Sequence, residues 1–320
     1  MSLGEFDIIA RYLAKPDSRP DVLLGIGDDA AVVSTPADRR LVVAMDTIVE
    51  GVHFPSGTDA ADIGYRSLAV NLSDLAAMGA QPAWMTLSLS LPRPDESWLE
   101  RFSSGLFGLA QCYNVALIGG DTVRGPMVIT VQVAGWVEPD RWLARSGARP
   151  GDLLFVSGVP GEAAAGLTAI QRALAGEQAA HLRTRFLRPE PRIELGRELR
   201  PFASAAMDVS DGLLADLDKL CAASGCGARV ELNDIPTSAA MQACFDAATC
   251  VDYALAGGDD YEIIFTVSPG DAGAVSRLPV TCTQIGVITN GSTVECTRDG
   301  EPVTVKRRGY DHFDGKASAS

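Results

Sequence analysis

Lysine is scarce in this sequence, with four among 320 residues, and none of the four follows a glycine loop. The phosphate loop G-x-x-x-x-G-K-[ST] is therefore missing, and so is the motif set of the protein kinases. Gly25-x-Gly27-x-x-Ala30 has the glycine spacing of a dinucleotide fingerprint, but Asp28 and Asp29 at its heart would face a pyrophosphate with negative charge. Cysteine is present seven times, an odd number, without a C-x-x-C pair. That pattern argues against a disulfide framework or a zinc site and for a reducing cytoplasm. No apolar run reaches the roughly 18 residues that cross a bilayer. The opening stretch carries Glu5 and Asp7 and lacks the uniform apolar core of a secretion signal. Positive charge is also short, 27 Lys and Arg against 41 Asp and Glu, for a net charge of −14. Such a chain repels DNA, RNA and anionic membranes at long range, so nucleic acid and membrane are excluded as partners.

What is present reads as a folded protein of two domains. Apolar residues make up 47% and charged residues 21% of the chain, and 320 residues can build a core in each of two domains. Leu41–Asp46 is a β-branched run, and Ala61–Gly79 has apolar residues at helical spacing. Ala83–Leu91 alternates, with Met85, Leu87, Leu89 and Leu91 on one face, which predicts a half-buried strand. A helix follows over Asp95–Tyr113, with Asp95 as its cap, then strands Val115–Ile118 and Met127–Val137. The polar Arg145–Gly151 segment carries Gly and Pro and sets the boundary between residues 1–145 and 146–320. Beyond it come strand Asp152–Ser157, helix Glu162–Leu174 and a helical stretch to Arg200 broken at Pro189 and Pro191. Helix Gly212–Ala223, strands Ala228–Leu232, Tyr261–Val267 and Thr283–Ile288, and a hairpin around Asp299 complete the second half. Helices and strands interleave in both halves, so the fold class is α/β (α+β) with two sheets.

Six short acidic clusters carry the chemistry: Gly25–Asp29, Asp46–Phe54, Asn71–Asp74, Gly119–Thr122, Asp208–Gly212 and Gly257–Glu262. Each alone is an ordinary turn or helix cap. Together they suggest one design, in which an apolar element ends, glycine permits close approach, and a carboxylate stands at the tip. Pooled carboxylates repel one another unless cations separate them. Magnesium suits the role, because it takes oxygen ligands and joins a few carboxylates to substrate phosphates. The acidity thus points toward nucleotide or phosphate chemistry. Histidine is rare, and nothing suggests a Ser/His/Asp arrangement.

The stretches GIGDDAAV, DTIVEGVHF, AVNLSDLAAMGAQPAW, IGGDT, DVSDGL, GGDDYE and GYDHF stand in the order and spacing of the thiamine-monophosphate kinases, and the chain resembles that family over residues 4 to 314. The resemblance implies the two-domain fold of aminoimidazole ribonucleotide synthetase, each domain a mixed sheet covered by helices. It implies a homodimer joined through the N-terminal domain. It implies that ATP phosphorylates thiamine monophosphate with several Mg2+ ions held by Asp28, Asp29, Asp46, Asp74, Asp121, Asp208 and Asp211. ATP would be held by Gly120, Asp121, Arg145 and Ser210, and thiamine phosphate would meet His53, Asp259 and Tyr310. Two departures stand out. Ala44 and Met45 occupy positions where family members often carry hydroxyl residues, and Asp259 stands where the family has Glu. Selenophosphate synthetases of the same fold use a reactive residue near the N-terminus, whereas the first cysteine here is Cys112.

Overall fold

The computed structural model describes residues 4–15, 19–305 and 309–310; Asp311–Phe313 of the closing motif and the tail after Asp314 lie outside the described residues. The chain divides into two compact units, residues 1–142 and 143–320.

The first unit opens with the short helix α1 (Glu5–Ile8) and a hairpin of β1 (Val22–Leu24) with β2 (Val32–Val33). There follow β3 (Arg40–Val49), α2 (Ala60–Ala77), β4 (Gln81–Leu91), α3 (Glu96–Cys112), β5 (Ala116–Arg124) and β6 (Val128–Val137). The sheet order is β3-β6-β4-β5. Only β4 and β5 run parallel, and α3 is the crossover that a parallel pair requires. Asp59 caps α2 by accepting from Ala61 N at 2.9 Å, and Asp95 caps α3 by accepting from Trp98 N at 3.0 Å. Leu68, Leu72 and Leu75 of α2 have no exposed surface. Each contributes roughly 1.5–3 kcal/mol by leaving water. As the alternation predicts, Met85, Leu87, Leu89 and Leu91 are buried, while Thr86, Ser88 and Ser90 are less so. On that second face the β1–β2 hairpin packs through Val22 and Val33 against Trp84 and Trp136, whose rings meet edge to face at 4.9 Å.

Two glycines let α2 and α3 approach. A Cβ on Gly64 would lie 2.1 Å from Phe102 O, and one on Gly105 would lie 1.9 Å from Ala61 O. Backbone therefore touches backbone, and the pairing of these helices is fixed at that crossing.

The second unit is a seven-stranded sheet in the order β13-β12-β9-β11-β7-β10-β8. In chain order its elements are β7 (Leu153–Ser157), α4 (Glu162–Gln171), α5 (Glu177–Leu187), α6 (Ile193–Leu199), β8 (Ala203–Asp208), α7 (Leu213–Ser224) and β9 (Gly227–Glu231). Then come α8 (Ala239–Cys244), α9 (Ala247–Ala256), β10 (Ile263–Val267), β11 (Cys282–Thr289), β12 (Val294–Arg298) and β13 (Glu301–Val303). The expected break at Pro189 and Pro191 falls between α5 and α6, and the hairpin at Asp299 joins β12 to β13. No described helix is long and apolar enough to cross a membrane.

Gly105→Ala should lower stability by about 1–3 kcal/mol, because the helices must separate. Gly108→Ala, three residues along the same helix with open space around it, should be neutral or stabilise by up to about 1 kcal/mol. Urea unfolding of both variants checks the contrast.

Candidate active site

In the first unit, two of the expected tips are strands. β3 runs past Asp46 to Val49, and β5 runs through the whole of Gly119–Thr122. Asp46 and Asp121 are therefore mid-strand residues, a correction to the tip reading of the sequence. Glycine still matters in β5, where a Cβ on Gly120 would lie 1.9 Å from Leu87 O. Cross-strand register places Asp121 beside Ser88, Thr130 and Thr47 on the face that carries Trp84. Asp46 aligns with Val131 and Leu87 on the opposite, helix-covered face. The Asp46 N–H donates to Asn71 Oδ1 at 2.8 Å, and Asn71, fully buried, donates its Nδ2 to Ser67 O at 2.9 Å. Asp74 sits one turn further along α2 and is half-buried. Asn71 thus ties the strand of Asp46 to the helix of Asp74.

Asp28 and Asp29 are exposed between β1 and β2, where Asp28 Oδ1 accepts from Asp29 N at 2.8 Å. His53 folds back on the end of β3: its Nδ1 accepts from Val49 N at 3.1 Å and its own N–H donates to Val49 O at 2.9 Å. Among the described residues, no three His, Cys, Asp or Glu side chains lie close enough to hold a metal ion together.

The second unit gathers its predicted residues more tightly. β8 ends at the buried Asp208, and Ser210, Asp211 and Gly212 form the turn into α7. All three turn N–H groups donate to Asp216 Oδ2, at 2.9, 2.9 and 3.2 Å. Lys219 donates to both Asp211 and Asp216. Burial raises the Asp216 carboxyl above its usual range, with Lys219 pulling the other way. The Gly257–Glu262 turn lies directly on this loop: Asp259 N donates to Ser210 O at 2.8 Å, Tyr261 N to Val209 O at 2.9 Å, and Val209 N to Glu262 O at 2.8 Å. Tyr310 N donates to Asp211 O at 2.9 Å. Ser210, Asp211, Asp259 and Tyr310 are therefore brought together. Arg145 is not among them. Its carbonyl accepts from Ser224 Oγ at 2.9 Å, at the far end of α7, about 18 Å away by helical rise.

Behind the turn lies a buried ionic network absent from the sequence reading. Asp260 accepts from Gly161 N at 2.7 Å and Ala163 N at 3.1 Å, capping α4. Burial pushes the Asp260 carboxyl up to about 8, against the pull of those two N–H groups. Glu262, without exposed surface, accepts from Arg192 at 2.6 and 2.8 Å, from Arg185 at 2.8 Å and from Ser157 at 2.5 Å. Burial alone would raise its pKa, but the Arg192 hydrogen bonds and charge hold it below the ordinary 4.5. Arg192 is raised in turn by Glu262, although burial works against it. Asp216 had a local signal, an acid in the first turn of a helix that follows a polar turn. Glu262 had none, because Arg192 lies 70 residues away.

Residues 27–137 match the family AIR synthase related protein, N-terminal domain, and residues 149–299 match AIR synthase related protein, C-terminal domain. The thiamine-monophosphate kinase of Salmonella typhimurium is 49% identical, over 98% of this chain and 99% of that protein. The crystal structure of thiamine-monophosphate kinase from Stenotrophomonas maltophilia is similar with a TM-score of 0.86 at 47% identity, covering 95% of this chain and 99% of that one. The structure of AaThiL complexed with AMPPCP and TMP is similar with a TM-score of 0.80 at 33% identity, covering 90% and 92%.

Glu262→Gln should cost up to about 3–5 kcal/mol in denaturant unfolding, because it removes the buried carboxylate charge shared by Arg192 and Arg185 and leaves them only Glu190 and Glu162. Since the folded pKa of Glu262 lies below 4.5, its stabilising contribution is complete above that pH and is lost as pH falls through the lower folded value. The unmodified chain should therefore lose stability on acidification more steeply than the Gln variant.

Proposed function

This chain belongs to the AIR synthase related family and, within it, to the thiamine-monophosphate kinases, and we propose that it transfers the γ-phosphoryl group of ATP to thiamine monophosphate. The near-complete coverage at 49% identity carries this reading. The complex of a 33% identical relative with AMPPCP and TMP supports the same pair of ligands.

The reaction is a direct in-line transfer. A bond forms between the γ-phosphorus and a phosphate oxygen of thiamine monophosphate while the bond to the β–γ bridging oxygen breaks, giving thiamine diphosphate and ADP. The attacking oxygen is already anionic, so no general base is needed, and positioning and charge control do the work. Mg2+ is the implied ion, and the donor set fits it in kind: Asp28, Asp29, Asp46, Asp74, Asp121, Asp208 and Asp211 offer only hard carboxylate oxygens. Sites with few protein ligands are also its habit, since it keeps water and takes the remaining oxygens from phosphates. Held by these aspartates, it would supply positive charge to neutralise the transferring phosphoryl group. Of the chain's own groups, Gly120 lets β5 approach β4 closely, and Asp216 aligns the N–H groups of Ser210 and Asp211. Arg145, Ser210, Gly120 and Asp121 are assigned to ATP, and His53, Asp259 and Tyr310 to thiamine phosphate.

We assign the partner as a second copy of the chain. Leu41, Val43 and Met45 alternate along β3 on its outer side with 54%, 49% and 63% exposure, an apolar ridge beside a second, helix-covered face. The seven cysteines are all free thiols, which supports a cytoplasmic setting.

ADP release should require thiamine monophosphate, with free thiamine inactive as acceptor; activity with free thiamine alone would overturn the substrate assignment. Asp121→Asn should lower kcat by roughly 10²–10³-fold and leave the melting temperature unchanged, because Asp121 is exposed. Val43→Glu should yield monomers in light scattering; a dimer that survives would move the interface elsewhere.

A further inference from the structure

Successive backbone N–H groups aimed at one point make an anion site. In the Ser210–Gly212 turn the anion is built in, because all three N–H groups donate to Asp216 Oδ2. Asp216 stands on α7 without exposed surface. Those donors are therefore spent inside the fold, and the turn has no amide cradle left for a phosphate. What it presents outward is the Asp211 carboxylate, with 34% of its side chain exposed.

A cation already holds these two acids together. Lys219 Nζ donates to Asp216 Oδ1 at 2.8 Å and to Asp211 Oδ2, from one turn further along α7. The acids depend on it unequally. Asp216 keeps its three N–H donors without Lys219, whereas the Asp211 carboxylate has no other hydrogen-bond partner among the described residues. The ammonium is a compact point charge on a flexible four-carbon stem, and 42% of the side chain is exposed. It acts on Asp211 as a free cation would, and its stem lets it withdraw. A divalent ion brings twice that charge to the same carboxylate.

We propose that Lys219 is a tethered competitor for the divalent cation at Asp211. It holds Asp211 against Asp216 until the ion arrives, then yields that carboxylate while keeping its bond to Asp216. Lys219 thereby sets how much divalent cation the chain requires. The proposal rests on the kinase reading above, with Asp211 as a metal ligand. A residue that merely braced the turn would have the opposite sign, since its loss would loosen Asp211 and weaken the ion.

The test titrates Mn2+ into the full chain and follows the free ion by electron paramagnetic resonance, with Asp211→Asn marking the binding that depends on Asp211. Lys219→Met keeps the stem and removes the charge. It should tighten that binding about tenfold and lower the Mg2+ concentration for half-maximal ADP release by a similar factor. Because Lys219→Met also strips the buried Asp216 of its charge partner, Asp216→Asn/Lys219→Met is measured beside it. The two changes cancel in charge, and Asn Oδ1 can still accept from the turn. Tighter Mn2+ binding in this variant therefore reports the release of Asp211 rather than added negative charge. Mn2+ binding that is unchanged or weaker in either folded variant would overturn the proposal and leave the kinase reading standing. Equal Mn2+ binding by Asp211→Asn and the unmodified chain would remove the metal role of Asp211 and this proposal with it.

Discussion

Glu262 is a full charge buried where water cannot reach it, and the order of the C-terminal site depends on that charge staying paired. Removing a carboxylate from water costs several kcal/mol unless partners repay it, and Arg192, Arg185 and Ser157 do so from three separate segments. The same arrangement fixes the start of β10. From there Val209 and Ser210 receive the turn through backbone bonds, and Asp216 aligns the Ser210–Gly212 amides. The geometry of the turn is thus inherited from the buried network behind it.

The N-terminal unit uses another strategy. Its carboxylates ride on regular elements whose relation is set by close backbone packing at Gly64, Gly105 and Gly120 and by the buried amide of Asn71. Asp46 and Asp121 fall on opposite faces of one sheet.

Periodicity made much of this architecture legible. Helix α2, strand β4 and the Asp95 cap follow from local pattern, because one face of each is buried and the spacing records it. Strand β8, Ala203–Asp208, escaped notice because its Ala-rich run has no β-branched residue; its pairing with β10 makes it a strand, and that pairing spans more than fifty residues. Asp121 was legible as an acid of interest but not as a mid-strand residue, since Gly119 and Gly120 before it resemble a turn signal, whereas Asp46 was read as the end of an apolar run that in fact continues to Val49. The ion pairs of Glu262 left no trace in the sequence, because charge pairing across 70 residues has no period. Tyr261 was visible only as part of a motif, and its left-handed backbone belongs to tertiary context alone.

Helix α7 closes at its far end with Gly225 at φ 67° and the Cys226 N–H on Cys221 O, and there Ser224 holds the carbonyl of Arg145. At its near end Asp216 and Lys219 grip the Ser210–Asp211 turn. A helix of twelve residues with both ends clamped behaves as a stiff strut. Its length therefore sets the spacing between the entry segment at residue 145 and the Ser210–Gly212 turn, as a rigid spacer does between two fixed points.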